Sequence, residues 1–476
     1  MTQAPTTAPR VRLFVRPTWD GPAGIREIAA VMLPLIVSNS LNSINLFLDR
    51  TFLAWYGERE FAAALQGGMT YWLCFSFFFA IVTYANTFVA QMHGAGIPRQ
   101  IGAVIWQAIH LSVVAGGIFA ALSPLGWPFF RWVGHEGNLP ALEAEYFQIL
   151  ALGSIAGFLM NALYCFYAGR GKTGLVLFIT LCVCLTNTAL NGLFIFKPFW
   201  IIPTGIAGAA IATVLSQFVG VALYLAFMLA RRGEYEREYA LFSSWRFNPL
   251  LVQRVVRFAL PAGVHQTLEV AGFTVFMLVT GVFGFEAQHA SNMAMNINLL
   301  LFIPAVGLHI AVSILAGQYC GARDHAATER LTSTAALICS VYMLGVIFIY
   351  TLFPDPLIHV FRGGMEEEKW LRLEAMAKFL LFFVAFYSFF DGLFLVYSGV
   401  LKGAGDTRYV MFITMFFAIL VLAIPCLIIA SYAEALGPRV GLYLAWGLCA
   451  AQVVMLALAN LMRFRGGQWR NINMVG

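Results

Sequence analysis

The sequence predicts an all-α membrane protein, with twelve transmembrane helices in two six-helix lobes related by a pseudo-two-fold axis along the membrane normal. Three observations predict it. Of 476 residues, 60% are apolar and only 11% charged, with a mean hydropathy of +0.79. A soluble domain runs at about 45–50% apolar and about 25% charged. The apolar residues stand in long unbroken runs, such as 71–85 and 380–390. Such runs suit helices, because a membrane strand alternates apolar and polar positions. Finally, the two halves of the chain repeat one another.

A spanning helix needs about 20 apolar residues. The runs place spans near 28–56, 61–92, 99–124, 141–168, 174–197, 205–230, 253–283, 288–319, 327–353, 374–401, 409–431 and 439–463. Pro34, Pro261, Pro304 and Pro425 fall inside spans and predict bends, since each lacks a backbone donor. The first 27 residues hold four arginines and no apolar core, so the first run reads as a retained span rather than a cleaved leader. Twenty of the 29 Lys and Arg residues lie at the two termini and in the loops after spans 2, 4, 6, 8 and 10. The positive-inside rule then puts both termini in the cytoplasm, as an even span count requires. The expected organisation is a cytoplasmic tail at 1–27, an N-lobe at 28–230, a cytoplasmic inter-lobe loop at 231–252, a C-lobe at 253–463 and a cytoplasmic tail at 464–476.

The repeat is legible residue by residue. Pro34 matches Pro261 and Gly57 matches Gly284, both 227 positions apart. Gln91-Met-His-Gly94-Ala95 matches Gln318-Tyr-Cys-Gly321-Ala322 at the same offset. Gly169-Arg-Gly171-Lys-Thr173 faces Gly403-Ala-Gly405-Asp-Thr407 at 234, and Phe178-Ile-Thr180 faces Phe412-Ile-Thr414. An insertion in the acidic stretch around Glu366 accounts for the change of offset. Each half holds six spans, so the repeats run parallel. Transporters use this arrangement to rock two lobes about a central site.

Other chemistries are excluded. The basic residues are distributed as topology charges, not as one patch, so no nucleic-acid partner is expected. The eight cysteines form no CxxC pair and read as small apolar packing groups. Gly171-Lys172-Thr173 resembles the end of a phosphate-binding loop, but Phe166 stands where that loop needs glycine. No nucleotide cofactor is expected, and no catalytic motif appears, so the chain is not expected to be an enzyme. Energy must come from an ion gradient or from the substrate's own gradient.

Charged side chains inside a membrane are expensive and mark function. Three carboxylates lie in apolar spans: Asp49, Glu269 and Asp391. Asn42, Asn45 and Asp49 have helical spacing and share one face. His265 precedes Glu269 by one helical turn and reads as a neighbour that tunes it. With no second histidine pair and no HExxH, no metal site is expected. The rings that make up 15% of the chain are mostly packing groups, and some are expected to hold organic cations.

Taken together, these residues resemble the multidrug and toxic compound extrusion (MATE) family, in its NorM-like branch. The resemblance covers the whole chain. It rests on the two-lobe plan, Leu33-Pro34 before Asp49 and Gly57, Gly205-Ile-Ala-Gly-Ala-Ala-Ile-Ala-Thr213, and Gly399-Val-Leu-Lys-Gly-Ala-Gly-Asp-Thr-Arg408. In the last, Lys402 replaces the family's usual arginine. The resemblance implies a secondary active antiporter that exports cationic or amphiphilic drugs and metabolites in exchange for Na+ or H+. It implies that Glu269 and Asp391 match the acidic pair of the NorM-like branch and that Asp49 matches the acid of span 1. Asn187 and Thr213 match polar partners in spans 5 and 6. The family's second N-lobe acid falls at Asn191, an amide here, so coupling is expected at the C-lobe pair, with Asp49 assisting. The alternative is a lipid-linked oligosaccharide or polyprenyl-phosphate flippase of the same superfamily, which would favour basic cavity residues. The protein is expected in the plasma (inner) membrane, as a monomer with small-molecule substrates and no bound cofactor.

Overall fold

The computed structural model describes residues 11–12, 15–197, 204–363 and 365–475; Arg10 and position 364 of the acidic stretch lie outside them. Among the described residues there is no strand. Among the described residues, twelve helices are long and apolar enough to cross a membrane. They are α1 (Ile25–Tyr56), α2 (Glu58–Gly94), α3 (Pro98–Val133), α4 (Leu139–Ala168), α5 (Thr173–Phe194) and α6 (Ile206–Ala230). The second six are α7 (Pro249–Val282), α8 (Phe285–Gly321), α9 (His325–Leu352), α10 (Glu367–Ala404), α11 (Thr407–Ser431) and α12 (Pro438–Arg465). The all-α, twelve-span reading is thus what the chain adopts.

Helix ends differ from the apolar runs where polar residues extend a helix. Glu367 and Glu368 occupy the first turn of α10, where carboxylates favour the helix N-terminus. The ion pairs Lys369–Glu366 (2.8 Å) and Lys378–Glu374 (2.8 Å) support the turns that follow. Pro425 acts through the turn before it. Residues Ala418–Ala423 of α11 form a π-helical turn, which gives the ring the room that a regular i−4 carbonyl would deny it.

The chain divides into two compact units. One comprises Val31–Thr267 with the last residues from Met474, and the other Leu268–Asn473 with the residues up to Ala30. The divisions fall inside α1 and inside α7, not in the polar connection between the lobes.

In the N-terminal unit, α4 packs against α2, α3 and α6. Lipid is as apolar as leucine, so close backbone approach and ring packing hold such helices together. Gly116 lies against Ile155 and Gly153 against Val214, each too close for a side chain. Phe75 stacks on Phe158 with centroids 4.4 Å apart. The connection expected as a loop at 231–252 contains a helix, Arg232–Tyr239, folded onto this unit. Arg170 lies over Phe166 at 3.7 Å and over Tyr239 at 4.6 Å. Trp106 Nε1 donates to the Leu241 carbonyl (2.6 Å), and Gln107 Nε2 to that of Arg246 (3.2 Å).

In the C-terminal unit, α10 packs against α8, α9 and α12. Trp446 is fully buried, and its Nε1 donates to Ser291 Oγ (3.1 Å). The N-terminal residues are tied here. The Arg12 and Val15 backbone N–H groups donate to Glu329 (3.1 Å) and Ser333 Oγ (3.0 Å), and Arg470 pairs with the same Glu329.

The two glycine-rich turns show what the repeat is for. Gly171 and Gly405 both have positive φ (73° and 96°), which glycine adopts without a Cβ clash. This lets the Lys172 N–H reach the Tyr167 carbonyl (2.9 Å) and the Asp406 N–H reach that of Leu401 (2.8 Å). A Cβ on Gly169 would meet Val89 and the Asn86 carbonyl; one on Gly403 would meet Ala316 and the Ser313 carbonyl. These neighbours are themselves 227 positions apart. The copies diverge at Asp406, whose carboxylate takes two hydrogen bonds from Arg463 (2.7 and 3.3 Å); the matching residue is Lys172.

Candidate functional site

In the N-lobe, α5 presents Asn187 and Asn191 one turn apart toward α1 and α6. Asn191 Nδ2 donates both to Asp49 and to Asn187 Oδ1, the latter at 2.8 Å. Asn187 Nδ2 donates to Thr213 Oγ1 (3.4 Å), which donates to the Ala209 carbonyl (3.1 Å). Asp49 is 8% exposed, and both asparagines are fully buried. The structure therefore joins Asp49, Asn187, Asn191 and Thr213 in one hydrogen-bonded chain. It joins neither Asn42, which is exposed, nor Asn45, which is half-buried, to that chain. The Oδ1 atoms of Asn45 and Asn191 are buried acceptors with no hydrogen-bond partner among the described residues. Such oxygens suit a hard cation or a proton donor.

In the C-lobe, Glu269 of α7 and Asp391 of α10 line one cavity of about 150 Å³. Its wall is completed by Phe273, Phe276, Thr414 and Gln452, among others, with no lysine or arginine among the described residues. The charge of Glu269 acts on both Asp391 and Lys402, the latter in the last turn of α10. Two carboxyls in so apolar a space cannot both ionise cheaply without a cation between them. A space of this size admits water or a cation beside them. His265 is buried, one turn before Glu269 in α7, and it groups with the N-terminal unit while Glu269 groups with the C-terminal one.

Sequence reasoning missed three polar residues. Thr414 is buried, and its Oγ1 has no partner among the described residues. Its place in the repeat, opposite Thr180, was the available signal. Gln452 stood out only as an amide in an apolar run. Glu143, near the start of α4, is fully buried and pairs with His135. Neither composition nor spacing separates it from its acidic neighbours Glu136 and Glu145.

Known proteins resemble this chain over most of its length. A family model described as MatE matches residues 34–193 and 261–428, one segment per lobe. A curated relative named probable multidrug resistance protein NorM, from Thermotoga maritima, is 24% identical over 447 residues, 93% of each chain. A second of that name, from Rhizobium meliloti, is 26% identical over 365 residues, covering 75% of this chain and 76% of its own. Among solved structures, a multidrug resistance MATE family transporter of the MOP superfamily, in an outward-facing conformation, superposes with a TM-score of 0.82. It is 18% identical and covers 98% of this chain and 99% of that one, a likeness that shows the fold.

Proposed function

Because the chain belongs to the MatE family, we propose that it is a multidrug exporter of the plasma membrane that works as a secondary antiporter. It exchanges cationic or amphiphilic small molecules for Na+ or H+, with both termini in the cytoplasm. The observation that carries this reading is the C-lobe cavity, where Glu269 and Asp391 share one wall. A cation or proton entering from outside neutralises the pair, and a cationic substrate competes for the same negative charge. Binding of one therefore weakens binding of the other, and reciprocal coupling of this kind is what exchange requires. Rocking of the two lobes then carries the site from one face of the membrane to the other. In the N-lobe, Asp49 with Asn187, Asn191 and Thr213 assists.

The acidic, base-free lining speaks against a polyprenyl-phosphate or lipid-linked oligosaccharide, whose phosphates call for lysine or arginine. The reading is tested with purified protein in proteoliposomes and a fluorescent cationic dye, with ΔpH and Na+ gradients imposed separately. Dye moving against its gradient under at least one of them is expected. Dye movement indifferent to both gradients refutes the antiport.

A further inference from the structure

We propose that Thr414 is the residue that lets the acid cavity take Na+, its hydroxyl oxygen joining the carboxylates of Glu269 and Asp391 around the ion. This rests on the antiport reading and deepens it by naming the driving ion and a residue that selects it.

The observation is a hydroxyl that its own helix leaves unused. A threonine inside a helix can donate to the carbonyl four residues back. Thr213 (3.1 Å), Thr267 (3.1 Å) and Thr274 (2.9 Å) all do so. For Thr414 that carbonyl belongs to Val410, and the bond is not made. Thr414 is only 3% exposed, and its Oγ1 has no partner among the described residues. A buried hydroxyl left unpaired is costly, and a valine would fill the same place without that cost. Packing alone therefore explains this threonine poorly.

Its setting supplies the missing partner. Thr414 shares the wall of the cavity of about 150 Å³ with Glu269 and Asp391. From α11, Ala418 and Leu422 line the same cavity, one and two turns further on. Both belong to the π-helical turn Ala418–Ala423, a feature that recurs at functional sites. Among the described residues of α11 on that wall, Thr414 alone carries a polar side chain. The N-lobe differs. There Thr213 donates to the Ala209 carbonyl and accepts from Asn187, so its hydroxyl is already engaged within the protein.

The chemistry favours Na+ over a proton as the occupant. A coupling proton needs one carboxylate oxygen and gains little from a neighbouring hydroxyl. Na+ is a hard cation and needs several oxygens at once. The two carboxylates bring oxygens and the neutralising charge. The hydroxyl brings a lone pair with no further charge, and water fills the remaining space.

The test uses the purified full chain at fixed alkaline pH, with NaCl exchanged stepwise for KCl at constant ionic strength. Uphill efflux of a cationic dye from proteoliposomes gives the half-saturating Na+ concentration. Tm in detergent across the same series reads Na+ binding without transport. A third arm drives efflux with outside acid in the absence of Na+. Thr414→Val replaces the hydroxyl by a methyl, and Thr414→Ser keeps the hydroxyl. Thr414→Val is expected to raise the half-saturating Na+ in both measurements by about tenfold or more, the scale of one lost contact to a charged group. Its Tm without Na+ is expected to equal or exceed that of the unmodified protein, because an unpaired hydroxyl has been removed. Thr414→Ser is expected to retain the Na+ response. An unchanged half-saturating Na+ in Thr414→Val overturns the proposal. So does a lower Tm of Thr414→Val without Na+, the mark of a structural hydroxyl, or a Thr414→Ser as weak toward Na+ as Thr414→Val. An unmodified protein driven by outside acid and untouched by Na+ also overturns it and leaves proton antiport standing. Failure of the antiport reading itself shows separately, as an unmodified protein indifferent to both gradients.

Discussion

Replacing Gly169 by alanine adds one carbon where α4 crosses α2. A Cβ built there lies 2.7 Å from Val89 Cβ and Cγ1 and 2.8 Å from the Asn86 carbonyl oxygen. Ordinary carbon contacts begin near 3.4 Å. Val89 is a stiff β-branched residue in a fully buried position, and the carbonyl belongs to the backbone, so neither can turn aside. The helices must separate by about 0.5–1 Å, and overpacking of this kind costs about 1–3 kcal/mol. Gly174, five residues on, has nothing within 4 Å of its built Cβ, so alanine there is neutral or slightly stabilising. The assay is thermal unfolding in detergent with a thiol-reactive dye that reports the buried cysteines. At about 2 °C per kcal/mol for a chain of this size, Gly169→Ala is expected to lower Tm by about 2–6 °C. Gly403→Ala, the matching change in the C-lobe, is expected to do likewise. If Gly169→Ala unfolds with Gly174→Ala, the close crossing does not hold the lobe and the argument fails.

Three further outcomes follow from the same geometry. In a Cys74→Ala background, cysteines at Ser243 and Glu366 should react with an impermeant thiol reagent from opposite sides of the membrane; reaction from one side contradicts the proposed orientation. Asp406→Asn removes the charge from the pair with Arg463 and should destabilise the protein by about 2 kcal/mol, read as a lower Tm. In the inter-lobe connection, the Ser243 hydroxyl and the Phe242 and Ser243 backbone N–H groups donate to Glu236 and hold its carboxyl below the usual carboxylate range. A depressed acid stabilises above its unfolded value, near 4.3, and loses that contribution as pH falls through the lower folded value. Hydrogen exchange at Phe242 and Ser243, corrected for intrinsic rates, should stay flat from about pH 8 to 5 and accelerate only below about pH 4. Glu236→Gln should remove that acid acceleration.

What was legible in the sequence was whatever the bilayer or a tight turn imposes locally. Twelve long apolar runs have one plausible fate in lipid, so the spans and their number were plain. Gly169, Gly171, Gly403 and Gly405 stood in matching positions because both turns need the same close approach and the same positive φ. Glu269 and Asp391 stood out as carboxylates inside apolar runs, and the fold puts them on one cavity. What was hidden depends on pairing across the chain. Glu143 is buried while Glu136 and Glu145 are exposed, and only the folding-back of His135 separates them. The helix Arg232–Tyr239 looked like a polar linker because its aromatic partners, Phe166 and Tyr167, are far away in sequence. The acidic stretch before α10 looked like a loop because its helix is supported by charge pairs rather than apolar periodicity.

The central claim is that exchange runs through the C-lobe carboxyls. Asp391→Asn keeps the shape of that side chain and removes its charge, while Asp49→Asn does the same in the N-lobe. Each variant is reconstituted in proteoliposomes, and uphill efflux of a cationic dye is measured under a pH gradient and, separately, under a Na+ gradient. The account predicts that Asp391→Asn abolishes uphill efflux under every gradient that drives the unmodified protein, and that Asp49→Asn retains part of it. Efflux from Asp391→Asn matching the unmodified protein, beside a dead Asp49→Asn, would contradict the account and move the coupling site to the N-lobe.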